Sequence, residues 1–170
     1  KKQLSDIEVT IGYENGVQQV FLNGENVNGL IRTEQVSDMT SRSSAKPQVR
    51  EKLTELQRTL AKKEDVLMDG RDIGTMILPD AQLKIFLTAS VKTRAERRYK
   101  EQIEKGESCT LEEIERDIEE RDYRDSHRET APLRQAEDAV LVDSSDMTID
   151  EVVAAIVALA RERMQMATCR

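Results

Sequence analysis

Two segments of the chain concentrate side chains that bind anionic oxygens. The first, DGRDIGT at residues 69 to 75, follows a short apolar run and places one arginine between two aspartates. Its two glycines leave the backbone open at the carboxyl end of a predicted strand, where open α/β sheets bind ligands. The alternative is a tight Asp-Gly turn with a surface ion pair. The local pattern leaves both interpretations open.

The second segment, RDYRDSHR at residues 121 to 128, contains three arginines at close spacing. On a helix, Arg121, Arg124 and Arg128 would share one face, and such a face binds phosphate oxygens well. The alternative is a solvated helix with local charge pairs, because Asp125 follows Arg121 by four residues. Taken alone, that alternative is the commoner case. Positive charge clustered on one face of an otherwise acidic chain argues for an anion site.

A third segment, SRSSAKPQVR at residues 41 to 50, places Ser41 and Arg50 on either side of a helix start at Pro47. The helix start explains this pattern without a ligand. The sequence shows no loop that would place a nucleophilic serine beside the single histidine, His127, so no Ser-His-Asp set is predicted. One histidine and two cysteines do not form a usual zinc centre, and no metal site is expected.

Composition excludes several classes of function. The net charge is −7 and aromatic residues make up 3% of the chain, with no tryptophan. A basic surface or an aromatic platform for stacking nucleic-acid bases is therefore not expected. No apolar run is long enough to cross a membrane, and the first residues lack the apolar core of a signal peptide. We expect a cytoplasmic protein with neither a membrane nor a nucleic acid as partner.

The elements that would position these residues fall into two parts. Residues 1 to 30 alternate between apolar and polar side chains around an Asn-Gly turn, which predicts a small antiparallel β unit. Helix periodicity follows, with an apolar stripe over residues 47 to 63. Strands then alternate with helices, which predicts an α/β fold with a parallel sheet. The strands are expected at residues 66 to 70, 82 to 90 and 139 to 145, and the helices at 91 to 105, 111 to 129 and 148 to 164.

In this order and spacing, the motifs RTEQV, PQVRE, DGRDIGT and RDxRDxxR resemble those of the bacterial cytidylate kinases, a branch of the nucleoside monophosphate kinases. The resemblance runs from about Ile31 to about Leu159. It implies a parallel-sheet core at residues 65 to 170, with a helical lid at about 110 to 133. It also implies an inserted nucleotide-binding lobe of antiparallel β structure and helices at residues 1 to 64.

The resemblance further implies an activity. A phosphoryl group would pass from ATP to CMP or dCMP, with Mg²⁺, to give CDP or dCDP and ADP. The complete enzyme is expected to be monomeric. Phosphoryl transfer needs positioned cations more than covalent chemistry from the protein, which agrees with the number of arginines in the motifs.

Carried over from the family, Ser41, Arg50 and Asp72 are expected to bind the cytosine base. A carboxylate accepts a hydrogen bond from the exocyclic amino group of cytosine, and an arginine donates to the ring acceptors. Uracil would present an oxygen to that carboxylate and be repelled.

The remaining candidates surround the acceptor's phosphate and sugar. Arg71 and Arg128 are expected at the phosphate, and Arg121 with Asp125 at the sugar hydroxyls. Arg71, Arg128 and Arg124 are the residues expected to take part in catalysis, with Arg124 and also Arg134 approaching the transferred phosphoryl group. Arg32 is a further acceptor-side candidate.

The chain departs from the family pattern in one respect. None of its 170 residues forms the sequence GxxxxGK[ST], the loop that holds the phosphates of ATP and follows the first core strand in the family. We therefore expect the 170 residues to be a fragment of such a kinase, without its first core strand and phosphate loop. The fragment is expected to be inactive alone, to bind neither ATP nor Mg²⁺ tightly, and to self-associate through an unpaired sheet edge. Two alternatives stay open: a nucleotide-binding module without turnover, and an interaction protein that uses its arginine-rich helix.

Overall fold

The computed structural model describes residues 6–33, 35–36, 39–40, 43 and 46–168. The chain divides into two compact units, Lys1–Leu67 and Met68–Arg170. Within the described residues, the first unit includes three short strands and the helix Pro47–Lys63, and the second includes two strands and three α-helices. No helix of the described residues is both long and apolar enough to cross a membrane.

The strands of the first unit form an antiparallel meander. They are β1 (Val9–Glu14), β2 (Val17–Leu22) and β3 (Glu25–Asn26), in the order β1-β2-β3. Asn15 and Gly16 link β1 to β2 with φ angles of 52° and 78°, the left-handed pair that a two-residue type I′ hairpin turn requires. The predicted hairpin is therefore confirmed. Asn23 and Gly24 repeat the same turn before β3.

Helix α1 (Pro47–Lys63) has the predicted bounds. Proline is favourable in the first turn because its missing N–H would have no partner inside the helix, and Lys62 and Lys63 suit the negative end of the helix dipole. No described residue of α1 is buried. Leu53, in the middle of the apolar stripe, is 41% exposed, so the stripe contributes only part of the stabilisation that full burial would provide.

The second unit contains a parallel pair of strands flanked by helices. Strand β4 (Ile85–Thr88) pairs in parallel with β5 (Val140–Asp143), in the register Ile85 to Val140. Parallel neighbours need a long crossover, and two helices between them supply it. The helices of this unit are α2 (Val91–Glu104), α3 (Leu111–His127) and α4 (Ile149–Thr168). The predicted α/β fold with a parallel sheet is confirmed.

Packing between α2 and α3 forms the core that fixes the arginine-bearing helix. Ala95 of α2 is fully buried against Ile114 and Ile118 of α3. An alanine at this contact lets the helices approach closely, and the buried isoleucines remove apolar surface from water. Only the first half of α3 takes part in this core, because both isoleucines precede residue 119.

One predicted strand is wrong. Residues 66 to 69 form no strand, and the Leu67 side chain is 97% exposed. An apolar run becomes a strand only when a neighbour completes its hydrogen-bond ladder, and among the described residues β4 pairs only with β5. A single π-helical turn, Ile73–Ile77, follows instead of an open loop, with Ile77 N donating to Asp72 O at 3.3 Å.

A capping box begins α3. The Thr110 hydroxyl accepts a hydrogen bond from the Glu113 backbone N–H, and a Glu113 carboxylate oxygen accepts one from the Thr110 N–H. This exchange satisfies two backbone donors that the helix start would leave without partners.

We predict that Thr110→Ala lowers the free energy of unfolding by about 1 kcal/mol, because the N-cap acceptor is lost. Thr110→Ser is the matched control, since it retains the hydroxyl. Urea denaturation followed by circular dichroism measures both variants. Equal stability of the alanine and serine variants would contradict the assigned cap.

Candidate functional site

The Asp125 carboxylate on α3 lies among three guanidinium groups. Its side chain is 15% exposed. Arg71 Nη1 lies 2.7 Å from Asp125 Oδ2, Arg121 Nε lies 3.9 Å from the same oxygen, and Arg128 Nη1 lies 3.9 Å from Oδ1. One carboxylate faces three cations, so the cluster has an excess of positive charge.

Two separate parts of the second unit supply this cluster. Arg71 belongs to the segment before the π-helical turn, whereas Arg121 and Asp125 lie four residues apart on α3. Arg128 lies just beyond the helix end, with extended backbone angles of φ −67° and ψ 142°. Its Nε donates to Ala131 O at 2.6 Å, which fixes the guanidinium beside Asp125.

The chain reversal after α3 also involves the backbone of Asp125. Its carbonyl accepts a hydrogen bond of 2.8 Å from the Leu133 N–H. Ala131, which is buried, has a φ of 50° at this reversal. The reversal directs residues 128 to 133 back along the helix and keeps Arg128 close to it.

Arg124 does not join the cluster. Its Nε donates to the Glu120 carbonyl of the same helix at 3.3 Å, and its side chain is exposed. Of the three predicted arginines, Arg121 and Arg128 both face Asp125, whereas Arg124 contacts the Glu120 carbonyl. Arg71 supplies the third guanidinium of the observed cluster instead.

The surroundings of Arg121 in this cluster lower its pKa. The pKa of Arg121 lies below its ordinary value, mainly because burial disfavours the charged form and then because Arg71 repels it. Asp125 opposes this shift. Asp125 Oδ2 is buried, and its 2.7 Å contact with Arg71 does not have the alignment of a hydrogen bond. An arriving anion would relieve the repulsion among the arginines, so the cluster suits a phosphate group.

Arg71 also lines a small hollow in the second unit, together with Gly70, Gly74, Lys84 and Arg134. The Lys84 side chain is only 8% exposed, and its Nζ donates to both carboxylate oxygens of Asp138 at 2.8 Å. This hydrogen bond is the main reason that the pKa of Asp138 lies below its ordinary value.

The Lys84 stem packs closely against Gly74, in the segment that carries Arg71. A Cβ at Gly74 would lie 3.3 Å from Lys84 Cδ, which is closer than ordinary packing. The Lys84 stem and the Arg71–Asp125 bridge therefore hold this segment from two sides.

The predicted base-binding residues lie in different parts of the chain. Ser41 lies outside the described residues. Arg50 is half-buried in α1 of the first unit, and Asp72 is half-buried before the π-helical turn of the second. Arg32, the further acceptor-side candidate, is exposed in the first unit. The roles predicted for these residues stay predictions.

Sequence reasoning missed two structural arginines on α2. Arg94 Nη2 donates to Asp122 Oδ2 at 2.7 Å, and Arg97 Nη2 donates to Ser144 O at 2.6 Å. The available signal is the position of Arg94 between Val91 and Ala95, two residues of the α2–α3 contact. A polar residue at such a position points toward the neighbouring helix.

The described residues fit a phosphate and not a metal ion. Guanidinium groups bind phosphate oxygens in defined geometry. No group of three or more histidine, cysteine, aspartate or glutamate side chains in the described part of the chain could hold a metal ion. We therefore assign no Mg²⁺ ligand here.

A parallel pair of strands with flanking helices, and an arginine cluster formed by a glycine-rich segment and a helix, define an α/β protein whose fold is consistent with the nucleoside monophosphate kinases. The family model described as cytidylate kinase matches residues 1–162. The chain belongs to the cytidylate kinase family.

Curated relatives agree with this assignment. The cytidylate kinase of Streptococcus pneumoniae is 53% identical over 151 residues, which are 89% of this chain and 68% of the relative. That of Lactobacillus johnsonii is 51% identical over 152 residues, covering 89% and 66%. That of Ligilactobacillus salivarius is 50% identical over 163 residues, covering 96% and 73%. The chain thus spans about two thirds of the length of these relatives.

We predict that Asp125→Asn lowers the free energy of unfolding by about 2 kcal/mol, because three guanidinium groups lose their shared counter-charge. Inorganic phosphate should restore more stability to this variant than to the parent, since it supplies the missing anion. Thermal unfolding with and without phosphate measures both effects.

Asp117→Asn is the matched control, because Asp117 is exposed on the same helix. Equal stability of the Asp125→Asn and Asp117→Asn variants would contradict the central role of Asp125.

Proposed function

We propose that the chain binds CMP or dCMP and orients its phosphate as the acceptor in the reaction of the complete enzyme, which transfers a phosphoryl group from ATP to give CDP or dCDP and ADP. The observation that supports this proposal most strongly is the convergence of Arg71, Arg121 and Arg128 on Asp125. Membership of the cytidylate kinase family supports the choice of reaction.

The acceptor phosphate is assigned to Arg71 and Arg128. Both guanidinium groups reach the Asp125 carboxylate from parts of the chain outside α3, and both side chains are about one third exposed, at 34% and 29%. Partial burial strengthens the attraction for phosphate, while the exposed part leaves room for the ligand. Charge held in position before the reaction needs no reorganisation when the phosphoryl group moves.

The sugar is assigned to Arg121 and Asp125. When phosphate takes over the contact with Arg71, Asp125 has an oxygen available for a hydroxyl group. A carboxylate accepts hydrogen bonds from hydroxyls, and the neighbouring Arg121 donates to their oxygens. The two side chains are already paired along α3, at 3.9 Å.

Base selection is assigned to Ser41, Arg50 and Asp72. Asp72 directly follows Arg71 in the sequence, so a nucleotide whose phosphate binds Arg71 would lie close to Asp72. The carboxylate would accept from the cytosine amino group and oppose the oxygen that uracil presents at the same place.

ATP with Mg²⁺ supplies the phosphoryl group. Arg124 and Arg134 are proposed on the donor side, because both side chains are exposed and neither contacts Asp125 within the described residues. An interaction protein that presents an arginine helix to an acidic partner is less well supported. Two of its three expected arginines, Arg121 and Arg128, turn toward Asp125 instead.

We predict that the chain binds CMP more tightly than UMP or AMP in isothermal titration calorimetry. Asp72→Asn should reduce the preference for CMP over UMP by about 5- to 100-fold, because an amide can also donate to uracil. Asp80→Asn, an exposed position in the following loop, is the control. Equal affinity of the parent for all three nucleotides would contradict the assigned base selection.

We further propose that these 170 residues alone do not convert CMP and ATP to CDP and ADP, since they contain no GxxxxGK[ST] segment for the ATP phosphates. Phosphorus NMR of a mixture of the chain, CMP, ATP and Mg²⁺ measures the products, with the Streptococcus pneumoniae relative as the positive control. CDP formation above the rate without protein would contradict the expected inactivity.

A further inference from the structure

We propose that Arg94 is a positioning residue of the acceptor site: it holds α3 so that Asp125 and its arginines meet the phosphate-binding Arg71. This inference rests on the proposed function. Arg94 does not contact Asp125 within the described residues, so it acts through Asp122.

The Arg94 guanidinium joins two elements of the second unit. Its Nε donates to Ala89 O at 3.0 Å, directly after β4, and its Nη2 donates to Asp122 Oδ2 of α3 at 2.7 Å. The side chain is 34% exposed. Its planar group donates in two directions at a fixed angle, so it sets the distance between the sheet and the helix.

The second half of α3 depends on such polar contacts. The buried isoleucines, Ile114 and Ile118, lie in its first half, and no residue from 119 to 127 is buried. Beyond Ile118, ion pairs from Arg94 to Asp122 and from Arg71 to Asp125 join α3 to other parts of the described second unit, beside the backbone hydrogen bond from Leu133 to Asp125. The two bridges reach α3 at Asp122 and Asp125, which are three residues apart.

The two bridges differ in what nucleotide binding requires of them. Arg71 must share or give up its contact with Asp125 when it binds the acceptor phosphate. Arg94 faces a carbonyl and a carboxylate of the protein, and neither is assigned to the ligand. The Arg94 bridge is therefore the one that retains α3 while Arg71 changes partner.

A displaced α3 would move Arg121 and Asp125 together, and Arg128 would follow because it is the next residue after the helix end. The distance from these groups to Arg71 would change, so the phosphate would no longer meet both sets of cations. Errors of about 1 Å in such arrangements have large effects on how charged ligands are held.

The test compares CMP affinities of the folded chain by isothermal titration calorimetry. Arg94→Met keeps an unbranched side chain but removes the guanidinium, and Asp122→Asn keeps the shape but removes the charge. Each should weaken CMP binding by about tenfold, and the double variant should lose no more than either single one. Lys100→Met, at an exposed position of α2, should bind CMP as the parent does.

A cycle with Arg71→Met separates positioning from a general structural role. If Arg94 acts by aligning α3 with Arg71, Arg94→Met should have little further effect once Arg71 is replaced. If the losses of CMP affinity caused by Arg94→Met and Arg71→Met simply add in the double variant, the proposal is overturned. Lower thermal stability with unchanged CMP affinity would also overturn it, because Arg94 would then only stabilise the fold.

The outcomes also distinguish this inference from the proposed function. If the parent chain shows no preference for CMP, the proposed function fails, and this inference fails with it. If the parent selects CMP and Arg94→Met binds it equally well, only the positioning role fails. Should Arg94→Met not fold, Asp122→Asn decides the question alone, because it retains the side-chain volume.

Discussion

One largely buried carboxylate oxygen lies at the centre of the site and partly offsets the charge of three arginines. Asp125 keeps three guanidinium groups close together in the absence of a ligand, and removing it would leave like charges facing one another at short range. Charged groups held close together in this way provide a preformed electrostatic environment for an anion. The pKa of Arg121 is lowered mainly by burial and, to a lesser extent, by repulsion from Arg71.

The rest of the second unit maintains the geometry of that carboxylate. The α2–α3 core and the Thr110 cap fix the first half of α3, and the chain reversal at Ala131 holds Arg128 beside its end. The Lys84 stem constrains the segment that carries Arg71. Phosphoryl transfer depends on where charges are placed, so these packing contacts contribute to function as well as stability.

Local patterns predicted most of the elements because the relevant forces are local. The Asn-Gly pair specifies the left-handed turn between β1 and β2, and Pro47 with helical periodicity specifies α1. The errors lie where partners distant in the sequence decide the structure: residues 66 to 69 lack a ladder partner among the described residues, and Arg128 lies beyond the helix end. The family motifs identify Asp125 and Arg71 as separate candidates, and the structure shows that their side chains are in contact.

The most direct test of this account is a crystal structure of the chain with CMP bound. We expect the guanidinium groups of Arg71 and Arg128 to lie within hydrogen-bond distance of the phosphate oxygens, with Asp125 facing the sugar hydroxyls. A structure in which the CMP phosphate lies in solvent while Arg71 retains its contact with Asp125 unchanged would contradict the account.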